Sequence, residues 1–152
     1  MRKGLKILVV DDEAIIRDAM KQLLEHCGCE VEACDCGSAA LARVAQYRFD
    51  VVITDFSMPG MQGDQLVAHI RKVAPSQRII MATAYVEEYK VFGQPSASVD
   101  GLLFKPFTFR ELQDAIEAVL ARETPAELQA ISPLADTMPA EKENSVPPPE
   151  PM

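Results

Sequence analysis

Four polar landmarks each stand directly after an apolar run. Asp11-Asp12 follows Ile7-Leu8-Val9-Val10, Asp55 follows Val51-Val52-Ile53-Thr54, Thr83 follows Ile79-Ile80-Met81-Ala82, and Lys105-Pro106 follows Leu102-Leu103-Phe104. Three carboxylates held together repel, and without a cation one of them takes up a proton. A divalent ion resolves the conflict. Magnesium prefers oxygen ligands, keeps waters and commonly bridges carboxylate to phosphate, so Asp12 and Asp55 suit direct ligation and Asp11 ligation through water. The Lys105 ammonium can pair with Asp55 at rest and with a phosphoryl oxygen once Asp55 is modified, while the Thr83 hydroxyl can donate to another such oxygen. Asp55 is the candidate nucleophile, since a carboxylate can attack an activated phosphoryl group.

For these residues to meet, the apolar runs must be strands whose C-terminal ends share one edge, which is where an open parallel sheet binds ligands. Leu5–Val10 is apolar but for Lys6 and rich in β-branched residues, the mark of a strand covered on both faces. Ile16, Ala19, Met20, Leu23 and Leu24 then recur at helical spacing, with Asp11–Glu13 suited to the helix start and Gly28 to its end. Glu30–Cys34 reads as the second strand, and Ser38 as the N-cap of a helix running to Tyr47. Asp50–Thr54 is the third strand, followed by a turn-rich Met58-Pro59-Gly60-Met61-Gln62-Gly63 loop and a helix over Asp64–Val73. Arg78–Ala82 is the fourth strand. The next crossover carries Gly93 and Pro95, which predicts a short or irregular fourth helix near Glu87–Phe92. Asp100–Phe104 is the fifth strand, and Thr108 caps a last helix through Arg122. Strands alternating with helices imply an α/β fold, a doubly wound parallel sheet with right-handed crossovers.

The chain has 152 residues, enough for one domain with a proper core. That domain is expected over residues 1–122. From residue 123 to 152 prolines lie among small and polar residues, the composition of a disordered tail, either passive or partner-binding. The apolar runs fall far short of a membrane span of about 20 residues, and Asp11 and Asp12 interrupt any signal-peptide core. These features predict a cytoplasmic protein without membrane insertion. A net charge of −8 opposes direct nucleic acid binding, which needs a basic surface.

Cys27, Cys29, Cys34 and Cys36 could suggest a zinc or thiol site. Cys29 and Cys34 differ in strand parity, however, which makes four thiolates hard to aim at one ion and favours core packing. His26 and His69 read as surface residues.

Singly the landmarks are weak, since a carboxylate pair after a strand is often only a helix cap. Their conjunction is specific: over residues 5–121 the chain resembles the receiver domain of two-component response regulators. The resemblance is carried by Asp11-Asp12, Asp55-x-x-Met58-Pro59-Gly60-x-x-Gly63, Thr83-Ala84 and Lys105-Pro106-Phe107. It implies a flavodoxin-like five-stranded sheet in the order 2-1-3-4-5. It also implies a phosphorylation-dependent switch rather than an enzyme with its own substrate. Asp55 would take its phosphoryl group from a phosphohistidine on a sensor histidine kinase or phosphotransfer protein, with Thr83 and Lys105 assisting. Magnesium would be held by Asp11, Asp12, Asp55 and the backbone carbonyl of Ser57, and the peptide before Pro106 would be cis. Output would pass to a downstream protein target, with a phosphorylation-dependent homodimer allowed. The family usually has an aromatic residue where this chain has Leu102; Phe104, on the same strand face, reads as core or interface. Ser57 and Tyr85 occupy the pocket rim and are expected to tune phosphoryl lifetime.

Two other classes compete. A phosphatase of the haloacid dehalogenase type also uses an aspartate after a strand, but it usually wants a second acid two residues on, where this chain has Ser57. An adaptor that keeps the fold and works without phosphorylation would have no need of the intact acidic set.

Overall fold

The computed structural model describes residues 1–84 and 99–122. The expected helix near Glu87–Phe92, Tyr85 with its expected place at the rim, and the expected tail over 123–152 lie outside them. Five strands form one parallel sheet: β1 (Lys6–Val10), β2 (Glu30–Cys34), β3 (Val51–Asp55), β4 (Ile79–Thr83) and β5 (Gly101–Phe104), in the order β2-β1-β3-β4-β5. Among the described residues four helices accompany it: α1 (Ala14–His26), α2 (Gly37–Gln46), α3 (Gly63–Val73) and α4 (Phe109–Ala121). This is the doubly wound flavodoxin-like arrangement.

Successive strand residues point to opposite faces, so each apolar run feeds two cores. Ile7, Val9, Val51, Ile53, Ile80, Ala82 and Leu103 pack on one face with Met20 and Leu24 of α1 and Leu112, Ile116 and Val119 of α4. Leu8, Val10, Val52, Ile79 and Met81 pack on the other with Ala40 and Val44 of α2 and Leu66, Val67 and Ile70 of α3. Every residue of β3 and β4 is buried, which is why those two runs show no polar alternation.

Helix ends follow local chemistry in most places. Gly28 closes α1 with φ at +93°, a conformation costly for any residue with a Cβ. Thr108 caps α4 in a reciprocal box with Glu111, each side chain bonding the other's backbone N–H. Ser38 does not cap α2: the helix begins at Gly37 with Cys36 as N-cap, and Ser38 lies one residue inside. Gly37, the first residue of the helix, sits so close to Met61 that an added Cβ would lie 2.8 Å from its sulfur.

Two of the cysteines, Cys29 and Cys34, divide between the two cores. Cys29 is buried with the α1 and α4 layer, Cys34 packs against the α2 and α3 layer, and all four are free thiols. Opposite faces of a sheet cannot supply one metal site. Phe104 and Leu102 are both exposed, 44% and 41%, so Phe104 is not a core residue. The exposed face of β5 is set by strand parity, with Leu103 alone turned to the core. No helix among the described residues is long and apolar enough to cross a membrane.

Candidate functional site

Parallel pairing aligns the strand ends. Val10 is opposite Thr54, Asp55 is opposite Ala82, and Thr83 is opposite Phe104, so the residue after each pairing falls on one edge of the sheet. Carboxylate oxygens of Asp11, Asp12 and Asp55 all lie within 4.8 Å of one another there. Asp11 and Asp55 are buried and Asp12 is exposed.

The lysine is folded into the same cluster. Lys105 Nζ donates to Asp11 Oδ2 at 2.9 Å and to Asp55 Oδ1 at 3.1 Å. Pairing with Asp55 is expected from the sequence; the shorter bond to Asp11 is not. The Lys105 backbone is anchored by its N–H donating to the Thr83 carbonyl at 2.8 Å, and the Lys105–Pro106 peptide is cis. Burial pushes the Asp55 carboxyl up to about 6, with the Lys105 hydrogen bond and charge opposing and the charges of Asp11 and Asp12 adding to the rise. Burial alone would lower the Lys105 ammonium, but its bonds to Asp11 and Asp55 outweigh this and raise it. Each group favours the charged form of the other.

Asp11 is the hub of the loop after β1. Its Oδ1 accepts from the Glu13 N–H at 2.9 Å, and its backbone carbonyl accepts from Arg17 Nη1 at 2.7 Å. Glu13 Oε1 lies 3.9 Å from Lys105 Nζ at the rim. Sequence reasoning singles out neither Glu13 nor Arg17 as a site residue. The only signal is their place one residue after the acidic pair and one helical turn further on, which marks no contact by itself.

The loop after β3 is closed by Gly63, whose N–H donates to the Phe56 carbonyl at 2.8 Å. A Cβ at Gly63 would meet the Asp55 carbonyl at 2.3 Å and Phe56 Cα at 2.8 Å, so only glycine permits this approach. Ser57 is half-buried in that loop and lines the cleft with Asp12, Asp55, Ala84 and Lys105. Thr83 is fully buried at the end of β4 and does not line the cleft. The cleft is about 710 Å³ and runs from this polar end into an apolar stretch between α1 and α4, where Ile15 is 85% exposed.

A parallel sheet ending in three clustered carboxylates and a bridging lysine defines a class of signalling protein, and comparison with known proteins agrees. Residues 7–117 match the response regulator receiver domain. The chain is 34% identical over 125 residues to the chemotaxis protein CheY-3 of Vibrio cholerae, covering 80% of this chain and 96% of that one. Among solved structures, the response regulator TrrA of Thermotoga maritima, in complex with Mg2+-BeF, is 35% identical with a TM-score of 0.70, covering 76% and 98% of the two chains. A CheY-like receiver domain protein of Methanospirillum hungatei is 34% identical with a TM-score of 0.72, covering 78% and 94%. The chain belongs to the response regulator receiver domain family, and with it to the two-component signalling systems.

Proposed function

We propose that Asp55 accepts a phosphoryl group from a phosphohistidine on a sensor histidine kinase or phosphotransfer protein, and that the modified chain signals by protein contact. The observation that carries this reading is Lys105 bridging Asp11 and Asp55, beside three carboxylates whose oxygens lie within 4.8 Å. Structural salt bridges rarely set one largely buried ammonium between two buried carboxylates with a third acid beside them, because the desolvation cost is high without a use for the charge.

A hard divalent cation fits this donor set, and magnesium, as bound in the TrrA complex, would neutralise charge on the transferring oxygens. Asp11, Asp12, Asp55 and the backbone carbonyl of Ser57 would hold it. Asp55 Oδ attacks phosphorus; the bond from phosphorus to the donor imidazole nitrogen breaks, and the imidazole leaves with that electron pair, neutral because its other ring nitrogen already carries a proton. Lys105 gives up its bond to Asp55 and takes a phosphoryl oxygen instead, while Asp11 keeps the ammonium in place. Thr83, buried at the end of β4, is assigned to a second phosphoryl oxygen. The exposed apolar surface of α1 beside the cleft gives the donor protein a place to rest.

Residues 1–122 are assigned to the receiver and 123–152 to a Pro-rich tail. A cytoplasmic location accords with four free cysteines. Intact-protein mass after incubation with acetyl phosphate and magnesium tests the reading. One added phosphoryl group that requires both Asp55 and the metal supports it; its absence with acetyl phosphate and with a phosphorylated kinase alike would overturn it.

A further inference from the structure

Lys105 has three ammonium protons and, among the described residues, three acidic neighbours. Asp11 and Asp55 take two of them at 2.9 and 3.1 Å, and the third neighbour, Glu13 Oε1, stands at 3.9 Å. The three differ in depth. The side chains of Asp11 and Asp55 are 1% and 7% exposed, whereas Glu13 is 62% exposed and lines the cleft mouth. Among the described residues Arg17 also lies near the cluster, but its guanidinium is turned to the Asp11 carbonyl. Among the described residues Glu13 therefore stands nearer to solvent than Lys105, and it is not one of the clustered carboxylates that could hold a metal.

We propose that Glu13 is a specificity-determining residue: its carboxylate at the cleft mouth discriminates against strongly anionic small phosphoryl donors, leaving the site to donors that bring less negative charge or their own docking surface. The inference rests on Asp55 being the phosphoacceptor. Free acyl phosphates enter as dianions, drawn among the described residues by Lys105 and by the metal that the acidic set would hold. Glu13 subtracts from that attraction. Phosphoramidate, a monoanion with a cationic nitrogen, feels less of the same repulsion. In both reactions Asp55 Oδ forms the new bond to phosphorus. With acetyl phosphate the P–O bond breaks and acetate leaves; with phosphoramidate the P–N bond breaks and ammonia leaves with the electron pair.

The test compares phosphorylation rate constants of wild type, Glu13→Gln and Glu13→Asp with acetyl phosphate and with phosphoramidate, at magnesium concentrations saturating for each variant. Glu13→Gln should raise the rate with acetyl phosphate by about threefold to tenfold and with phosphoramidate by less, so that the ratio of the two rises at least about twofold, the scale of one removed charge at a wet site. Glu13→Asp keeps the charge and should keep the wild-type ratio. In about 1 M salt, where the screening length is ~3 Å, the difference between wild type and Glu13→Gln should collapse. An unchanged ratio in Glu13→Gln, or a change that persists in high salt, would overturn the inference while leaving Asp55 as phosphoacceptor. Failure of wild type to react with either donor, and with a phosphorylated kinase, would remove the parent reading and this one with it.

Discussion

Arg17 Nη1 donates to the backbone carbonyl of Asp11 at 2.7 Å, tying the first turn of α1 to the loop that carries the acidic pair. The guanidinium thereby orients the carbonyl while the Asp11 carboxylate faces Lys105. Removing it frees the loop to rotate. Arg17→Ala should weaken magnesium binding severalfold and cost about 1 to 2 kcal/mol of stability, the usual effect of losing a charge-assisted bond to a half-buried acceptor. Arg17→Lys, which can still reach with one donor, should recover part of the magnesium affinity. Isothermal titration calorimetry with magnesium, alongside thermal unfolding of each variant, checks both.

The Asp55 carboxyl, raised to about 6 by burial, predicts an unusual pH dependence for the metal-free protein. Its folded value lies above the unfolded one, so its contribution to stability is greatest below the ordinary aspartate range and is lost as pH rises through about 6. At pH 7.5 the ionised group is a cost. Asp55→Asn should therefore stabilise the metal-free protein at pH 7.5 by about 1 to 2 kcal/mol after allowing for solvent at the cleft, read as a higher melting temperature. At pH 4.5 the gain should shrink towards zero. Saturating magnesium should stabilise wild type and do much less for Asp55→Asn. A gain that is equal at both pH values would contradict the burial effect.

How much of this is legible in the sequence varies with the range of the interaction. The sheet and the shared edge follow from apolar runs that end in polar residues, because strand burial on both faces leaves a continuous signature. Boundaries slip by a residue: the third strand reaches Asp55 because Asp55 pairs with Ala82, and no local pattern reports a neighbour's register. The start of α2 departs from expectation by two residues, with Cys36 and not Ser38 at the N-cap, and the neighbouring Gly37 packs against Met61, a contact between distant segments that no local pattern reports. Lys105 bonding Asp11 across 94 residues, and Glu13 standing at its other side, are visible only in three dimensions.

Lys105 pairs with two buried carboxylates at once, and its removal should split two properties that usually move together. Lys105→Met deletes a cation that competes for the carboxylates, so magnesium should bind about threefold to tenfold more tightly. The phosphorylation rate should nevertheless fall, since no ammonium then meets the transferring oxygens. Without magnesium the variant should be markedly less stable than wild type, because Asp11 and Asp55 are left facing each other in a buried site. Magnesium titration by calorimetry and acetyl phosphate kinetics on the same variant separate the two effects.

Gly63 makes the sharpest steric prediction. Its N–H closes the loop onto the Phe56 carbonyl, and the atoms a Cβ would strike, the Asp55 carbonyl and Phe56 Cα, are both backbone and cannot swing aside. Gly63→Ala must therefore move the end of β3 itself. Relief by displacement costs about 2 to 3 kcal/mol, at the upper end of ordinary overpacking. Because the displaced segment carries Asp55 and Ser57, the same substitution should weaken magnesium binding severalfold in the fraction that remains folded. Gly60→Ala is the control. Gly60 has φ at +80° but nothing within 4 Å of the position a Cβ would take, so its cost is conformational, about 1 kcal/mol, and magnesium affinity should stay near wild type. If Gly63→Ala bound magnesium as tightly as Gly60→Ala, the close approach at Gly63 would matter to the fold alone and not to the placement of Asp55.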